Sequence, residues 1–442
     1  MKKELYEEYF KDKKVTILGL GLLGRGIGDS RFLAEHADEL IITDRKNEEE
    51  LKSSKESLSD FSNITFHLGA QFLSDFEGRD FIYKASSVPL DSEYILHAKE
   101  KNIPVYMSAA LVVKILYEKM PSVKVIGVTG TRGKSTTTHL IAHCLEVGGK
   151  KVHLGGNVRG VANLPLLADI NEGDFLVLEL DSWQLQGFKD ASISPNIAVF
   201  TSFLDDHLNY YKGDREAYFN DKASIFQNQK VGDVLIASPQ AHAEILKRGY
   251  GDNAVVPVVS TQAMHLIGEH NEMSVALAHT VGRLCGLSED VMKKSFNSFL
   301  PVPGRLEYIG KVRGVHIYND NNATTPDAVI VGIQSVNKKY NTKPIVIVGG
   351  GDKGLDLTLL ENELIKNTKA CIYLSGTGTD KITLTKVFEY EKLEDCVNRA
   401  FEISSEGDVI LFSPGFASFS KYYHNEYERN DAFVKCIECM RH

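Results

Sequence analysis

Residues 130–136, with the sequence GTRGKST, combine the residue types that bind a nucleoside triphosphate. They follow the apolar run VIGV and precede a helix-like run, so the turn exposes several backbone N–H groups at a helix start, where anions bind. Lys134 is placed to bind the β- and γ-phosphates, and the hydroxyl of Ser135 or Thr136 is placed to ligate Mg²⁺. The strict GxxxxGK[ST] spacing is not met, because Val128 stands where the first glycine would be. The segment predicts an ATP site with an irregular phosphate loop.

A second glycine-rich turn opens the chain. Gly19, Gly21 and Gly24 follow a buried strand in GxGxxG spacing, and Asp44 comes at the end of the next predicted strand. This pattern is typical of a dinucleotide site, in which a helix start takes a phosphate and the carboxylate takes a nucleoside hydroxyl or N–H. A nucleotide other than NAD meets both requirements, and a tight turn without a ligand remains an alternative. Arg45, next to Asp44, could bind an additional phosphate group. The alternative is that it is a solvated surface residue.

Metal-ligand types follow two strands of the middle segment. Glu179 ends the apolar run LVLE, and carboxylates are rarely buried unless they are paired or bind a metal. Two interpretations remain open: a ligand for Mg²⁺ or for a water near the triphosphate, and an edge-strand carboxylate that faces water. Asp206 and His207 follow a predicted strand at residues 197–201, where ligands gather in parallel sheets. Lys222 stands in a helix-like segment, where a lysine is ordinarily a solvated surface residue.

Polar segments also end three predicted strands of the last third of the chain, at residues 319–324, 349–354 and 413–418. Because parallel strands end at one edge of a sheet, we expect these segments to line one crevice. Two prolines and a glycine at residues 301–304 predict a hinge just before Arg305. The last third is therefore predicted to bind a substrate and to close over ATP.

Strands and helices alternate along the whole chain, which favours parallel sheets in an α/β fold. The 442 residues suggest about three domains. We predict a Rossmann-like N-terminal domain at residues 1–115, a central P-loop ATPase-like domain at 116–300, and a Rossmann-like C-terminal domain at 301–442.

Composition excludes several classes. The net charge of −9, without a long basic run, disfavours a nonspecific nucleic-acid binder. No apolar stretch approaches membrane-spanning length, and the charged N-terminus lacks the apolar run of a signal peptide. Six cysteines do not form a disulfide framework, and Cys436 and Cys439 are interpreted as two residues of a terminal helix. We expect a cytoplasmic protein with neither nucleic-acid nor membrane partners.

Taken in order, the motifs resemble those of the Mur ligase family. GTRGKST resembles the family's phosphate loop GTxGK[ST]T, which explains the irregular spacing. ELDSWQL, from Glu179, resembles the ELSS[FW]QL of the D-glutamate-adding member, and DHLN, from Asp206, matches DH[LM][DN]. Four more segments resemble family motifs: GGNVRG at 155–160, GEHN at 268–271, PGRLE at 303–307 and NDNNAT at 319–324. The resemblance covers nearly the whole chain.

The resemblance implies an ATP-dependent amide ligase of peptidoglycan precursor synthesis. It would join D-glutamate to UDP-N-acetylmuramoyl-L-alanine through an acyl phosphate, with two Mg²⁺ ions and a Lys222 carbamylated by CO₂. The glycine-rich turn at residues 19–24 would then bind a UDP-sugar and not NAD. We expect the protein to act as a monomer.

The resemblance also implies site residues, by position. The catalytic residues would be Lys134, Glu179, His207 and Lys222. The ATP-binding residues would be Gly130, Thr131, Gly133, Lys134, Ser135, Thr136, Asn271, Arg305 and Asp320. The UDP-sugar would contact Gly21, Leu22, Leu23, Asp44, Arg45 and Asn157. The amino acid would contact Thr324, Lys353, Ser418 and Tyr427. The metal ligands would be Ser135, Glu179, His207 and Lys222.

Four positions depart from the pattern of the D-glutamate-adding member. Residues 86–89, SSVP, replace SPG[IV], Asn322 replaces a lysine, Ser420 replaces an aspartate, and Asn430 replaces a glycine. The last three concern the muramoyl and amino-acid pocket. An L-glutamate-adding or folylpolyglutamate synthetase-like ligase of the same family therefore remains an alternative.

Overall fold

Three β-sheets, each formed by one continuous stretch of the chain, organise the computed structural model. The structure describes residues 2–21, 25–207, 210–258, 263, 265–418, 422–423 and 425–441. Parallel strands followed by helices dominate all three sheets, so the predicted α/β class is confirmed. Among the described residues, no helix is long and apolar enough to cross a membrane.

The first sheet is entirely parallel and has the order β3-β2-β1-β4-β5. Its strands are β1 Lys14–Leu18, β2 Glu39–Asp44, β3 Ile64–Leu68, β4 Phe81–Lys84 and β5 Val105–Tyr106. Its helices are α1 Lys2–Phe10, α2 Arg25–His36, α3 Lys52–Glu56, α4 Glu93–Glu100 and α5 Ser108–Lys119, with a 3₁₀ turn at Leu73–Phe76. The order in which strands are added changes direction between β1 and β4. In a doubly wound sheet the crevice lies at this point, which here is next to the glycine-rich turn after β1.

The second sheet is also parallel and has the order β10-β9-β6-β8-β7. Its strands are β6 Lys124–Thr129, β7 Val152–Gly156, β8 Phe175–Glu179, β9 Ile197–Phe200 and β10 Val234–Ala237. The helices of this stretch are α6 Lys134–Val147, α7 Leu166–Asp169, α8 Ser182–Asp190, α9 Arg215–Gln227, α10 Pro239–Lys247, α11 Glu269–Leu284 and α12 Glu289–Ser298. The phosphate loop follows the central strand β6, between β8 and β9.

The third sheet has the order β11-β12-β16-β13-β14-β15. Its strands are β11 Glu307–Val312, β12 Val315–Asn319, β13 Ile345–Val348, β14 Ala370–Leu374, β15 Glu389–Tyr390 and β16 Val409–Phe412. Its helices are α13 Pro326–Tyr340, α14 Thr358–Asn367, α15 Leu393–Ile403 and α16 Glu426–Met440, with a 3₁₀ turn at Thr379–Lys381. The pair β11 and β12 is antiparallel, and the other pairs are parallel. Cys436 and Cys439 lie on α16 as free thiols, as predicted.

The chain forms two compact units: residues 1–258 with 276–295, and residues 259–275 with 296–442. In the first unit, one apolar core runs through the first two sheets and their helices. In the second unit, separate cores cover the two faces of the third sheet. Strands such as β13 are buried along their whole length, as expected for parallel strands covered by helices on both faces. The three predicted domain boundaries remain predictions.

A buried carboxylate joins the two halves of the first unit. Asp29, on α2, accepts hydrogen bonds from the hydroxyl of Tyr83 (2.5 Å) and the backbone N–H of Leu164 (2.8 Å). Burial raises the pKa of this carboxyl to about 6, although both hydrogen bonds act in the opposite direction. The carboxylate therefore ties the first sheet to the chain that precedes α7.

Candidate active site

The phosphate loop takes its shape from two glycines. Gly130 has φ of 147°, and a Cβ there would lie 2.0 Å from Oγ1 of Thr201. Gly133 has φ of 83° and caps α6, which begins at Lys134. Both positions therefore require glycine, because other residues rarely adopt these backbone angles. Val128 is a fully buried residue of β6, so the departure from strict spacing reflects a strand that extends further toward the loop.

Two lysines converge on one carbonyl oxygen of this loop. Lys134 Nζ donates to Gly130 O (3.0 Å) and Thr131 O (3.2 Å). Lys222 Nζ, from α9, donates to the same Gly130 O at 2.9 Å and lies 4.9 Å from the ring of Tyr218. Lys222 is only 2% exposed, so its interpretation as a solvated surface residue is wrong.

Burial controls the charge of Lys222. It holds the pKa of this amine well below its ordinary value, and the charge of Lys134 adds to that effect. Asp181 and Asp206 act in the opposite direction. A depressed pKa favours the neutral amine, which is the form that reacts with electrophiles.

Glu179 lies beside the phosphate loop without a partner. It ends β8, in register with Val128 of β6, and is 4% exposed. Since β8 lies between β6 and β7, the edge-strand interpretation is wrong. Within the described part of the chain, no hydrogen bond or ion pair reaches its carboxylate. The charge of a carboxylate on a largely buried residue is costly, and a cation would offset that cost.

His207 follows β9 on the other side of β6. Its backbone has φ of 55°, and its ring packs against Trp183, with centroids 4.9 Å apart. Burial lowers the pKa of His207, although Asp206 opposes the shift, which favours the neutral ring, the form that ligates a metal. Asp206 itself accepts from Arg132 at 3.0 Å.

Metal binding would need ligands of several kinds. Ser135 is mostly buried at the start of α6, the helix that follows β6, and β6 is the neighbour of the strand that ends at Glu179. Among the described residues, no three His, Cys, Asp or Glu side chains are grouped to hold a metal by themselves. The donor set around the loop therefore fits Mg²⁺ only if a hydroxyl, phosphate oxygens or a modified lysine complete it.

At the first glycine-rich turn, Asp44 has a structural role. Its Oδ2 accepts from the backbone N–H of Leu20 (2.9 Å) and Gly21 (3.4 Å), and its Oδ1 accepts from that of Lys46 (3.0 Å). The carboxylate thereby fixes the turn at the carboxyl edge of β1 and β2. Arg45 is exposed beside it. Two predicted contacts, Leu22 and Leu23, lie outside the described residues.

Asn157 lies near the same turn. Its Oδ1 accepts from Nη1 of Arg25, the first residue of α2, at 2.5 Å. Its backbone N–H donates to Glu179 O at 2.7 Å. Asn157 therefore connects the start of α2 with the strand that carries Glu179. Arg25 was missed in the sequence analysis, although it directly follows the GxGxxG motif.

In the second unit, the three polar segments do share one edge. They follow β12, β16 and β13, which are adjacent and parallel. Lys353 Nζ donates to Oγ1 of Thr324 at 2.9 Å, so two predicted amino-acid contacts are close together. Ser418 is buried, and Tyr427 is half-buried on α16. The edge therefore offers a cation beside hydroxyl groups.

The remaining predicted ATP contacts also lie in the second unit. Asp320 is buried, and its two oxygens accept from Leu306 N (3.0 Å) and Ser413 Oγ (2.9 Å). Burial raises the pKa of its carboxyl to about 7. Asn271 donates to Ile267 O at 2.8 Å, and Arg305 is half-buried next to Leu306.

The structure adds a buried arginine, next to Asn430 in the sequence, to which the sequence analysis assigned no role. Arg429, on α16, donates through Nε to Oδ1 of Asn321 (2.8 Å) and through Nη2 to its carbonyl (3.1 Å). Its Nη1 reaches the carbonyls of Phe416 and Ala417, both at 3.3 Å. Arg429 thus joins two of the three edge segments to α16.

Two of the departures lie next to each other. A Cβ on Gly304 would lie 2.9 Å from Asn430 Oδ1 and 3.3 Å from Asn322 Nδ2. Asn319 Nδ2 donates to Asn430 Oδ1 (2.8 Å) and to Glu307 Oε2 (3.2 Å). Asn322 and Asn430 therefore form one polar cluster around Gly304, in place of a lysine and a glycine.

Comparisons with known proteins identify the family of this chain. Residues 128–305 match the Mur ligase middle domain, and residues 304–416 match the Mur ligase glutamate ligase domain. A UDP-N-acetylmuramoylalanine–D-glutamate ligase from Borreliella afzelii is 32% identical, with 97% of this chain and 98% of that protein covered. The ligase of the same name from Roseiflexus is 28% identical, with 96% and 98% covered.

Solved structures share the fold. A UDP-N-acetylmuramate–alanine ligase from Thermotoga maritima has a TM-score of 0.62 at 18% identity, covering 97% of this chain and 99% of that one. The MurF ligase from Thermotoga maritima, in complex with ADP, has a TM-score of 0.59 at 18% identity, covering 92% and 96%. With near-complete coverage by relatives at this level of identity, the chain belongs to the Mur ligase family.

Proposed function

We propose that this protein is an ATP-dependent ligase that adds D-glutamate to UDP-N-acetylmuramoyl-L-alanine during peptidoglycan precursor synthesis. The observation that carries the proposal is the convergence of Lys134 and Lys222 on Gly130 O, beside the largely buried Glu179. The names of the full-length relatives, including those from Borreliella and Roseiflexus, support the two substrates. The ADP complex of a family member supports the nucleotide.

The phosphate loop is proposed to hold the triphosphate. Backbone N–H groups between Gly130 and Thr136 and the start of α6 bind the phosphates, and Lys134 leaves its two carbonyl partners to bind the terminal ones. Asn271, Arg305 and Asp320 are also proposed to bind ATP.

The reaction then needs positioning and charge neutralisation more than acid–base chemistry. The substrate carboxylate attacks the γ-phosphorus of ATP, which gives an acyl phosphate and releases ADP. The amino group of glutamate attacks the acyl carbon, a proton leaves the nitrogen, and the tetrahedral intermediate collapses to the amide and inorganic phosphate. Lys134 neutralises charge on the phosphoryl oxygens in the first step.

Mg²⁺ is proposed at two positions beside the loop. One ion would be held by Ser135 and Glu179, and the other by His207 and a carbamylated Lys222. When bound, the metal neutralises developing charge on phosphoryl oxygens. Addition of CO₂ to the neutral amine of Lys222, with loss of a proton, gives an anionic carbamate, and the depressed pKa of Lys222 supports this step.

Substrate recognition is proposed at the two other sheets. The turn at Gly21, with Leu22, Leu23, Asp44, Arg45 and Asn157, would take the UDP-sugar. Thr324, Lys353, Ser418 and Tyr427 would take glutamate, because a lysine beside hydroxyls suits a carboxylate. We further propose domains at 1–115, 116–300 and 301–442, and a monomer that acts in the cytoplasm.

Phosphate release tests this function. The purified chain, with ATP, Mg²⁺, bicarbonate, UDP-N-acetylmuramoyl-L-alanine and D-glutamate, is expected to release phosphate and to form the amide. Omission of either substrate should stop the reaction. A folded sample that releases no phosphate with the complete mixture would contradict the proposal.

A second candidate is an amide ligase of the same family with another amino-acid preference. The polar cluster of Asn322 and Asn430 around Gly304, close to the edge segments, supports this second candidate, because both residues depart from the pattern of the D-glutamate-adding member. A panel of D-glutamate, L-glutamate and other amino acids in the same assay decides between the two. A kcat/KM for D-glutamate that exceeds all others removes the second candidate.

A further inference from the structure

Lys84 is a buried cation to which the proposed reaction assigns no role. It ends β4 and is only 1% exposed. Its Nζ donates to the carbonyls of Val88 (2.7 Å) and Ala85 (3.1 Å). Within the described part of the chain, no carboxylate lies within ion-pair distance of this amine. Burial lowers its pKa to about 8, and Asp190 and Asp181 oppose the shift from a distance.

The two carbonyl acceptors belong to one tight turn. The backbone N–H of Val88 donates to Ala85 O at 3.1 Å, so residues 85–88 fold back on themselves. Lys84 Nζ binds Ala85 O and Val88 O, the carbonyls at the two ends of this turn. A cation with two carbonyl partners holds such a turn more firmly than the single backbone hydrogen bond does alone.

This turn supports the glycine-rich turn of the first sheet. Lys84 is in register with Leu18 of β1, and the backbone N–H of Ala85 donates to Leu18 O at 2.9 Å. A Cβ on Gly19 would lie 3.0 Å from the Cβ of Ala85 and 3.4 Å from Cγ2 of Val88. Gly19 therefore packs directly on the turn, and a shift of residues 85–88 would move the proposed UDP-sugar site.

The same turn is one of the departures from the family pattern. It has Ser86, Ser87 and Val88 where SPG is usual, and Pro89 directly follows the turn. Among the described residues, neither serine hydroxyl has a hydrogen-bond partner. Ser87 is exposed and Ser86 is half-buried, so both hydroxyls are available to a ligand at this edge.

We propose that Lys84 is a positioning residue for the UDP-sugar substrate. It fixes the turn at residues 85–88, which supports Gly19 and carries the accessible hydroxyls of Ser86 and Ser87. The inference rests on the proposed function, because it takes the glycine-rich turn as the UDP-sugar site.

The test compares substrate affinity in two variants. Lys84→Met removes the charge and the donors but keeps the length of the side chain, and Lys84→Arg keeps charge and donors. Lys52→Met, at an exposed position on α3, is the control for the loss of one surface charge. The measurements are the KM for each substrate, the Kd of UDP-N-acetylmuramoyl-L-alanine by calorimetry without ATP, and the unfolding temperature.

Lys84→Met is expected to raise the KM and Kd of the UDP-sugar about tenfold, since two buried carbonyls lose their donor. The KM values of ATP and D-glutamate should change less than about twofold, and Lys84→Arg should recover most of the loss. A UDP-sugar Kd that stays within about twofold of wild type in folded Lys84→Met overturns the inference. So does an equal rise of all three KM values.

An unfolded Lys84→Met variant and a failure of the proposed function itself would each give a result distinct from a failure of this inference. If Lys84→Met is unfolded at the assay temperature, Lys84→Gln, which keeps one donor, carries the test. A folded Lys84→Gln with wild-type UDP-sugar affinity overturns the inference, and a selective loss supports it. Failure of the wild-type protein to bind UDP-N-acetylmuramoyl-L-alanine would instead contradict the proposed function.

Discussion

Replacing Asp320 with asparagine should stabilise the second unit, by an amount that grows as the pH rises from about 4 to about 7. The carboxyl is buried, and burial raises its pKa from 3.8 to about 7. Asparagine keeps the acceptor for Leu306 N at Oδ1, and its amide can donate to Ser413 Oγ. Asp320→Asn therefore removes the ionisation of the side chain without removing its two contacts.

The sign follows from proton binding in the two states. Between pH 4 and 7, Asp320 is protonated in the folded protein and ionised in the unfolded chain, so wild-type stability falls as the pH rises. The contribution is complete below about pH 4 and is lost above about pH 7. A difference of about three pKa units corresponds to at most about 4 kcal/mol. For a unit of this size, that is a change in unfolding temperature on the order of 10 °C.

The assay is thermal unfolding of wild type and Asp320→Asn at pH 5 and pH 8. Hydrogen exchange at β12 and β16 assigns the transition to the second unit. Asp380→Asn, at an exposed position of the same unit, is the control. If Asp320 also binds ATP, the more stable variant should have a higher KM for ATP. Equal pH dependence in wild type and Asp320→Asn would refute the reasoning.

Three further predictions concern the first unit. Lys222→Ala should lower kcat at least about 100-fold, and acetate or chloride should restore part of it by replacing the carbamate; full activity in a phosphate-release assay would contradict the role. Glu179→Gln should raise the Mg²⁺ concentration for half-maximal activity, unlike Glu146→Gln at an exposed position of α6; equal Mg²⁺ titrations would contradict a metal role. The pKa of Asp29 is raised to about 6, so the folded state holds this proton more tightly than the unfolded chain does. The free energy of unfolding should therefore fall as the pH rises from about 4 through 6. Asp29→Asn should remove that dependence, at most about 3 kcal/mol, as measured by unfolding temperature, and an unchanged pH profile would exclude it.

The strand pattern and the loop motifs were predictable because both are local. Three strands lead to the candidate site: β6 to the phosphate loop, β8 to Glu179 and β9 to His207. In the sequence, each is a short apolar run followed by polar residues. In contrast, β11 was missed, although its turn carries a signal. Arg313 and Gly314 both have positive φ, as a two-residue hairpin turn requires, and glycine is typical there.

The charges buried in helices were harder to predict. Lys222 lies one helical turn after Tyr218, and Arg429 one turn before Phe433, so both basic residues lie on buried faces. That spacing was visible in the sequence, but a basic residue in a helix is usually exposed. What the sequence did not contain was the partner of each cation: a loop carbonyl distant in the chain for Lys222, and Asn321 for Arg429.

The polar cluster around Gly304 has a consequence for the order in which the chain acquires its structure during synthesis. Gly304 and Leu306 both have positive φ, and Asp320 and Glu307 hold this segment through backbone N–H groups. Asn430, on α16, joins the cluster through Asn319. Every described strand is complete by residue 412, before α16 begins. On the ribosome, the segment from Gly304 to Leu306 therefore acquires its last contacts only after the described strands of the third sheet have been made. A chain that stops before α16 would have every described strand, but this segment would lack the contact with Asn430.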